Sequence, residues 1–446
     1  MIIEGYKECD TISGEATPPG RGGISVIRIS GKDALSIVSQ LFDEKLPRAG
    51  EFKYGSIHSF AHPRVTIDQA VVSYFKTPHS FTGEDVLEIS LHGSPVLVAA
   101  VQEELYKAGA RPAQAGEFTF RAFINGRIDL TQAEAVSDLI SSNSTESAGS
   151  ALLRLNGSLK IAAQDISMQL LTLLSMFELE LDFVEESVEI CTKVEHETMI
   201  SSVISRLQEM LIGYKHCHSL REGVRVALIG FPNVGKSSLF NRLLNQERAI
   251  THHEPGTTRD EIDSSMMIKG IEFRLNDTAG VRETEDDVEI VGVERTLQLA
   301  AQCDIVIEVS SVDIEAEYSY IALAGQGVIK VLNKIDLGSD RYVSDNIRVS
   351  AQRGTGIDEL RNAMYHLAVG GEAVSRRTVN NERQYHLAEK ALKFANNAHR
   401  CIQNESQPEI TAEELRETLG CLDEMTGKRK LGKVLENIFS EFCIGK

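Results

Sequence analysis

The stretch Gly230-Phe-Pro-Asn-Val-Gly235-Lys236-Ser237 decides the fold. The apolar, β-branched segment Val224 to Ile229 runs into it, and a helical pattern from Ser238 to Leu244 leaves it. Strand, glycine-rich turn and helix in that order make a phosphate-binding loop. The glycines let backbone amides turn inward onto phosphate oxygens, and the helix N-terminus adds its partial positive charge. Lys236 is expected to reach the terminal phosphates and the Ser237 hydroxyl to ligate magnesium. Asn233, Val234, Gly235 and Ser238 complete this group of contacts. Alone, the pattern would also suit a turn rich in Gly and Ser.

Further segments follow in a fixed order. Gly256-Thr257-Thr258-Arg259-Asp260 supplies a switch-type threonine, Thr258, for magnesium and the γ-phosphate, with Thr257 beside it. Asp277-Thr278-Ala279-Gly280 ends a strand, which puts Asp277 near the metal and the Gly280 amide near the γ-phosphate. Asn333-Lys334-Ile335-Asp336 follows the strand Val328 to Leu332, and Ser350-Ala351-Gln352 follows Ile347 to Val349. The Asp336 carboxylate can accept two hydrogen bonds from guanine, where adenine offers no matching donors. A site built on such bonds rejects a mismatched base by roughly 10⁴. Residues 221–374 are therefore expected to form a Ras-like P-loop α/β G domain with GTP as substrate.

Val281 stands where Ras-like proteins place the glutamine that orients the attacking water, and valine cannot do that work. Asn233 offers a side-chain oxygen to a monovalent cation beside the phosphates. One extra positive charge at about 4 Å is worth on the order of 4 kcal/mol at an effective dielectric of 20. Fully expressed in the transition state, that is about 10³ in rate. The expectation is a potassium ion at Asn233 and a water oriented by Glu289, in the acidic stretch Glu283 to Glu289. The plainer readings are a loop-capping asparagine and a solvated acid.

The flanks differ from this core. Ile24 to Ile29, Val65 to Phe75 and Asp85 to Leu91 have strand character, and Ser94 to Ala108 reads as a helix with Pro95 in its first turn. Residues 1–126 are expected to be a mixed α/β domain. From about Ile128 apolar residues recur at three and four, as in Leu170, Leu173, Leu174, Phe177 and Leu181. Helical periodicity returns through Tyr385 to Ala398 and Leu431 to Phe442. Residues 127–220 and 375–446 thus read as one helical bundle domain split by the G domain, which makes the fold class multidomain.

A net charge of −19 makes the 446-residue chain a poor non-specific binder of nucleic acid, since that affinity comes from clustered Lys and Arg. Contact with RNA would be local or through a more basic partner. Seven scattered cysteines suit a reducing compartment, and His216-Cys217-His218 lacks a second ligand cluster. No apolar run is long enough for a bilayer, and the first residues lack the apolar core of a signal peptide, so a cytoplasmic location without membrane contact is expected. The terminal Phe442-Cys443-Ile444-Gly445-Lys446 has three readings. It is a prenylation signal with an unusual last residue, a frayed tail, or an arm that delivers a nucleophilic or ligating cysteine.

Several segments carry a resemblance. They are Ala16-Thr-Pro-Pro-Gly-Arg21-Gly-Gly, Arg28 in Ile-Arg-Ile-Ser-Gly, Ser80-Phe-Thr-Gly-Glu-Asp-Val-Leu-Glu88, Gly116-Glu-Phe-Thr-Phe-Arg121-Ala-Phe, Asn125-Gly-Arg127-Ile-Asp-Leu and Leu181-Asp-Phe-Val-Glu-Glu186. With the G-domain motifs and the terminal pentapeptide, they resemble the MnmE (TrmE) family of tRNA-modification GTPases over essentially the whole chain.

The resemblance implies a homodimer whose N-terminal domain binds 5-formyltetrahydrofolate or a related tetrahydrofolate through Arg28, Glu88, Arg127 and Lys446. These types suit a ligand with a glutamate tail and a donor-rich pterin. It also implies potassium at Asn233, enclosed by a loop that here includes His252, Glu254 and Thr257. Lys236 and Glu289 would act in GTP cleavage and Cys443 in the modification. An FAD-containing MnmG (GidA) partner would help build an aminomethyl-type group on C5 of the wobble uridine of tRNA. Two departures stand out. His252-His253-Glu254-Pro255 replaces a Thr-Asp-Ile-Pro type of loop, adding a charge and two titratable rings, and Arg127 stands where lysine is also common. The competing readings are a ribosome-assembly GTPase, which would need a basic RNA-binding module, and a folate-dependent methyltransferase regulated by a G domain.

Overall fold

The computed structural model describes residues 10–60, 64–142, 144–182, 192–212, 214, 223–245, 265–277, 303–314, 327–338, 346–369, 379, 381–429, 435, 438–440, 442 and 445. It divides into two compact units, Met1–Ser137 with Arg154–Leu171 and Arg416–Lys446, and Asp138–Leu153 with Thr172–Leu415.

In the first unit the order is β1 (Ile12–Glu15), β2 (Ser25–Ser30), α1 (Ala34–Leu41), β3 (Phe52–His58), β4 (Thr66–Phe75), β5 (Val86–Leu91), α2 (Pro95–Lys107), β6 (Arg111–Pro112), α3 (Glu117–Ile124) and α4 (Leu130–Ser141). The three strands and the helix expected from the sequence fall within a residue or two of these bounds. The strands form one sheet, ordered β3-β4-β5-β2-β1-β6 and antiparallel except for the β1–β6 pair. Along β2 the side chains alternate, so Ile27 and Ile29 are buried while Arg28 between them is only partly covered. Ile37, Val38 and Leu41 of α1 and Val101 and Leu105 of α2 join Ile27, Ile29, Val72 and Ile89 in one apolar core. Each such side chain is worth about 1.5–3 kcal/mol when fully buried.

The end of the chain belongs to this unit. Leu435, Phe439 and Phe442 pack with Phe120, Leu130, Ala133 and Val136. The Phe120 and Phe439 rings meet edge to face, with centroids 5.3 Å apart. Phe442 and Gly445 are both buried, so these two positions are not those of a frayed terminus.

Helix α3 also carries a buried ionic cluster. Arg121 is 1% exposed and Glu117 is fully buried. Arg121 bonds both Asp10 and Glu117 and lies 3.1 Å from each oxygen of Glu84. Arg111 forks onto Glu117 and also bonds Asp10. Burial pushes the Glu117 carboxyl up, but the Arg111 hydrogen bonds and the Gln114 amide, with the charges of Arg121 and Arg111, outweigh it and hold the group below the usual carboxylate range.

The second unit contains most of α5 (Thr145–Leu155), the C-terminal part of α6 (Ser158–Asp182), and α7 (Lys193–Ile212). Next come β7 (Val224–Ile229), α8 (Lys236–Asn245), β8 (Ser265–Ile268), β9 (Ile271–Asp277), β10 (Ile305–Ser311), β11 (Gly327–Asn333), β12 (Ile347–Arg348) and α9 (Ile357–Val369). Their sheet, ordered β12-β11-β10-β7-β9-β8, is parallel except for β8–β9. Val226, Leu228, Ile307, Val331 and Leu360 lie in its core. Helix α10 (Glu382–Gln403), capped by the Asn381 side chain on the Gln384 amide, covers the expected Tyr385 to Ala398 segment and runs beyond it at both ends. It buries Ala388, Ala391, Ala395 and Ala398, a stripe at three- and four-residue spacing that lets α7 approach closely. Helix α11 (Pro408–Thr426), of which Arg416 onward belongs to the first unit, was not expected from the sequence. Of the expected Leu431 to Phe442 helix, the described positions 435 and 438–440 are helical.

Removing one partner of a buried ion pair costs about 3–5 kcal/mol. Arg121→Met is accordingly expected to lower the urea midpoint of the first unit's unfolding transition by that equivalent, with the transition of the second unit unmoved. Because Glu117 and Asp10 are held below their ordinary values, their contribution is complete above about pH 5 and is lost as the pH falls through their folded-state values. Unfolding of the wild type in urea at a series of pH values reads this directly.

Candidate functional site

The phosphate loop lies between β7 and α8, at the carboxyl end of a central parallel strand. Gly230 has φ +150°, and a Cβ there would run into the Val309 carbonyl oxygen of β10. Gly235 has φ +91°, and a side chain would strike the Asn333 amide. Both positions hold the loop against neighbouring strands at a distance only glycine permits. The Lys236 ammonium lies over the loop, donating to the carbonyls of Gly230 and Phe231 at 2.9 Å each. Ser237 and Ser238 are exposed in the first turn of α8, and Val234 is buried beneath. Asn233 is exposed with φ +66°. Asparagine tolerates that left-handed conformation better than most residues, so the backbone gives this residue type a reason of its own beside an acceptor role.

One side chain joins three loops. Asn333, 1% exposed, donates from Nδ2 to the Val234 carbonyl at 3.0 Å and accepts at Oδ1 from the Ala351 amide at 3.1 Å. The segments 333–336 and 350–352 are thereby tied to the loop between β7 and α8. Ser350 donates to Asp336 Oδ1 at 2.6 Å, and this bond holds the Asp336 carboxyl below the usual range, as an acceptor for guanine requires. Lys334 adopts φ +61° and pairs with Asp313 at 2.8 Å. Arg242 of α8 fastens the Ala351 and Gln352 carbonyls from the other side. Neither Arg242 nor Asp313 was singled out from the sequence, since each contributes through a contact far along the chain.

Asp277 ends β9 in register with Leu228 of β7, which brings this strand end beside the strand that leads into the phosphate loop. Thr257, Thr258, Thr278, Ala279, Gly280, His252, Glu254, Glu289, Cys443 and Lys446 lie outside the described residues, as do His216, Cys217 and His218. Among the described residues no group of three or more His, Cys, Asp or Glu side chains is arranged to hold a metal, and no helix is long and apolar enough to cross a membrane.

A second constellation lies on the sheet of the first unit. Arg28 and Glu88 are paired in register on β2 and β5, and Arg28 donates twice to Glu88 Oε1, at 2.9 and 2.8 Å. The guanidinium lies 5.4 Å from the centre of the Phe81 ring and 5.7 Å from that of Phe118. Its remaining terminal nitrogen points at the Gly445 carbonyl, 3.4 Å away and 417 positions along the chain. Arg127 is exposed and lays its stem against Gly83, in the same 80–84 loop that carries Phe81. Glu84 of that loop accepts from Ser30 at 2.6 Å and from Arg121. The sequence pointed to Arg28, Glu88 and Arg127. It did not point to Phe81, Phe118, Glu84 or Arg121 as the residues that frame them.

Comparison with known proteins identifies the lineage. Residues 11–127 match the GTP-binding protein TrmE N-terminus, and residues 130–443 match the MnmE helical domain. The tRNA modification GTPase MnmE of Aquifex aeolicus is 39% identical over 97% of this chain and 98% of its own. That of Natranaerobius thermophilus is 36% identical over 98% and 99%. The chain belongs to the MnmE family of tRNA modification GTPases. Membership makes it a GTP hydrolase, in agreement with the strand–loop–helix at Gly230–Ser237. The G domain of the T. maritima FeoB iron transporter is also similar, at 26% identity over 32% of this chain and 98% of that one, with a TM-score of 0.24.

An MnmE-family GTPase that reads guanine through Asp336 should change its preference when the carboxylate becomes an amide. Asp336→Asn is expected to weaken GTP binding by about 10³–10⁴-fold, because the amide presents one donor to a base edge that is all donors. Xanthosine triphosphate, which replaces one of those donors with a carbonyl, should recover most of the loss in a fluorescence titration.

Proposed function

We propose that the chain is a potassium-activated GTPase that modifies tRNA together with an FAD-containing partner of the MnmG (GidA) type. The pair would install an aminomethyl or carboxymethylaminomethyl group on C5 of the wobble uridine, with the one-carbon unit drawn from a tetrahydrofolate. The observation that carries this reading is the meeting of Arg28, Glu88 and Gly445 on the first unit's sheet. A guanidinium flanked by two aromatic rings, with a carboxylate beside it, suits a ligand that has both carboxylates and a flat, donor-rich ring system. Arg127 and Lys446 would add charge for the glutamate tail, and Cys443 would serve the modification itself.

On the G domain, Ser237 and Thr258 would hold magnesium, which neutralises charge on the β- and γ-phosphates when bound. Asn233, His252, Glu254 and Thr257 would surround potassium, Lys236 would grip the terminal phosphates, and Glu289 would orient water. Asn233 and Ser237 are both exposed at the loop and so are open to ions. GTP hydrolysis would move the domains of a cytoplasmic homodimer rather than supply energy to the uridine. We place the functional divisions at residues 1–126, 127–220, 221–374 and 375–446. A ribosome-assembly role fits less well, because the chain carries a net charge of −19.

Titration of 5-formyltetrahydrofolate into the nucleotide-free protein is the deciding experiment. Saturable binding near one folate per chain is expected, weakened about tenfold or more by Arg28→Ala, since hydrogen bonds to charged groups are worth about 1.5–3 kcal/mol. No binding would bring the ribosome-assembly reading forward. Separately, GTP turnover should be faster in potassium than in sodium, by up to about 10³. Equal rates would remove the cation from the proposal.

A further inference from the structure

Gly445 occupies a place in the first unit that no side chain can share. Its φ is +93°, in the region that L side chains rarely adopt. A Cβ built on it would collide with the Glu15 carbonyl oxygen and would lie 2.8 Å from the Glu15 carbonyl carbon and 2.9 Å from the Ala16 Cα. On the facing side is Gly14, where a Cβ would come within 3.6 Å of the Gly445 amide nitrogen. The bare Cα of Gly445 therefore lets its backbone lie directly on the end of β1, while a Cβ at Gly14 would make only ordinary contact with it.

The walls of this slot are fixed. Ala16 donates its amide to the Val26 carbonyl at 2.7 Å, and Val26 donates its amide to Thr17 Oγ1 at 3.2 Å, so the β1–β2 pairing continues past Glu15. Backbone held in this way cannot withdraw to admit a methyl group cheaply. Phe442 is anchored too, its ring packed at a tilt on Phe439 with centroids 5.5 Å apart within the α3–α4 core.

We infer that Gly445 is a positioning residue, seating the C-terminal tail between the Glu15–Ala16 backbone and the Arg28 guanidinium, beside the Arg28–Glu88 pair. Arg28 serves both neighbours at once, with Nε and one terminal nitrogen on Glu88 and the other terminal nitrogen on the Gly445 carbonyl. Lysine, a single ammonium, lacks the planar fork that places three nitrogens on these two neighbours. The consequence for catalysis rests on the folate and tRNA reading above, whereas the seat itself does not.

The test uses the full-length protein and carboxypeptidase B, which removes a C-terminal lysine by cutting the Gly445–Lys446 bond, whose carbonyl Arg28 holds. Intact mass follows the loss of Lys446, and each variant's rate is divided by that of a synthetic peptide with its own last twelve residues. Proteolysis tracks the population of the open form, so the seated wild-type tail should be cut about 10-fold or more slowly than its peptide. Gly445→Ala should approach the peptide rate, and Arg28→Lys should lie between. Gly445→Asn discriminates further, because asparagine tolerates positive φ yet still carries a Cβ, and it should also be released. With the flavoprotein partner, Gly445→Ala should lose tRNA modification in kcat while its GTP turnover stays at the wild-type value. Trimming of the wild type at the peptide rate, or full protection of Gly445→Ala or Gly445→Asn, would overturn the seat. The assay contains no folate, so a failed folate titration would remove the proposed function and leave this result standing.

Discussion

The nucleotide-handling loops depend on the buried amide of Asn333. It lies at the end of β11, bonds the phosphate loop through Val234 and bonds the segment after β12 through Ala351. A buried amide left unsatisfied costs about 1–3 kcal/mol, so the three loops are held together by the requirement that both ends of this side chain find partners. The Asp336 carboxylate can then lie at a fixed place relative to the Lys236 ammonium. Arg121 does comparable work in the other unit. Its guanidinium ties Asp10, Glu84 and Glu117 together, and through Glu84 it fixes the loop that lays Phe81 over Arg28. In both units a flexible-looking loop is set in place by one interior polar group rather than by its own sequence.

That difference explains how much could be read beforehand. The strand–loop–helix around Lys236, the Asn333-to-Asp336 segment and the Ser350–Ala351 turn were legible because their chemistry is local. Each sits at a strand end, and its residue types are those expected to face phosphate or guanine. Strands β2, β4 and β5 and helix α2 were legible through period and capping. The Arg28–Glu88 pair came from family resemblance and falls in register on adjacent strands. What the sequence could not convey is closure over distance. Nothing near Arg121 announces Asp10, 111 positions earlier, and nothing near Gly445 announces Glu15. The motif containing Glu117 and Arg121 looks like a binding signature, yet those two charges are consumed inside the protein.

Helix α11 escaped notice for a related reason. Its residues mix acid, threonine and small apolar types without a clean stripe, so its burial is decided by what packs on it. The alanine stripe of α10 is weaker still as a hydrophobic signal. It becomes informative once α7 is known to lie along it, because alanine there buys proximity rather than buried area.

Helices α7 and α10 also set the terms on which the G domain is attached. Val379 donates its amide to the Met210 carbonyl at 3.1 Å, at the end of α7 where the chain departs and the start of α10 where it returns. At the opposite end Lys193 of α7 reaches the Gln403 carbonyl of α10 at 2.8 Å. The two helices run antiparallel, and the stretch between Met210 and Val379, which carries the β7–β12 sheet, stands where a hairpin would have its turn. Topologically the G domain is a cassette, and its two splice points are already one hydrogen bond apart. A short loop across that gap would leave the helix pair continuous, which is the geometry that lets a catalytic module be gained or exchanged without redrawing the scaffold that carries it.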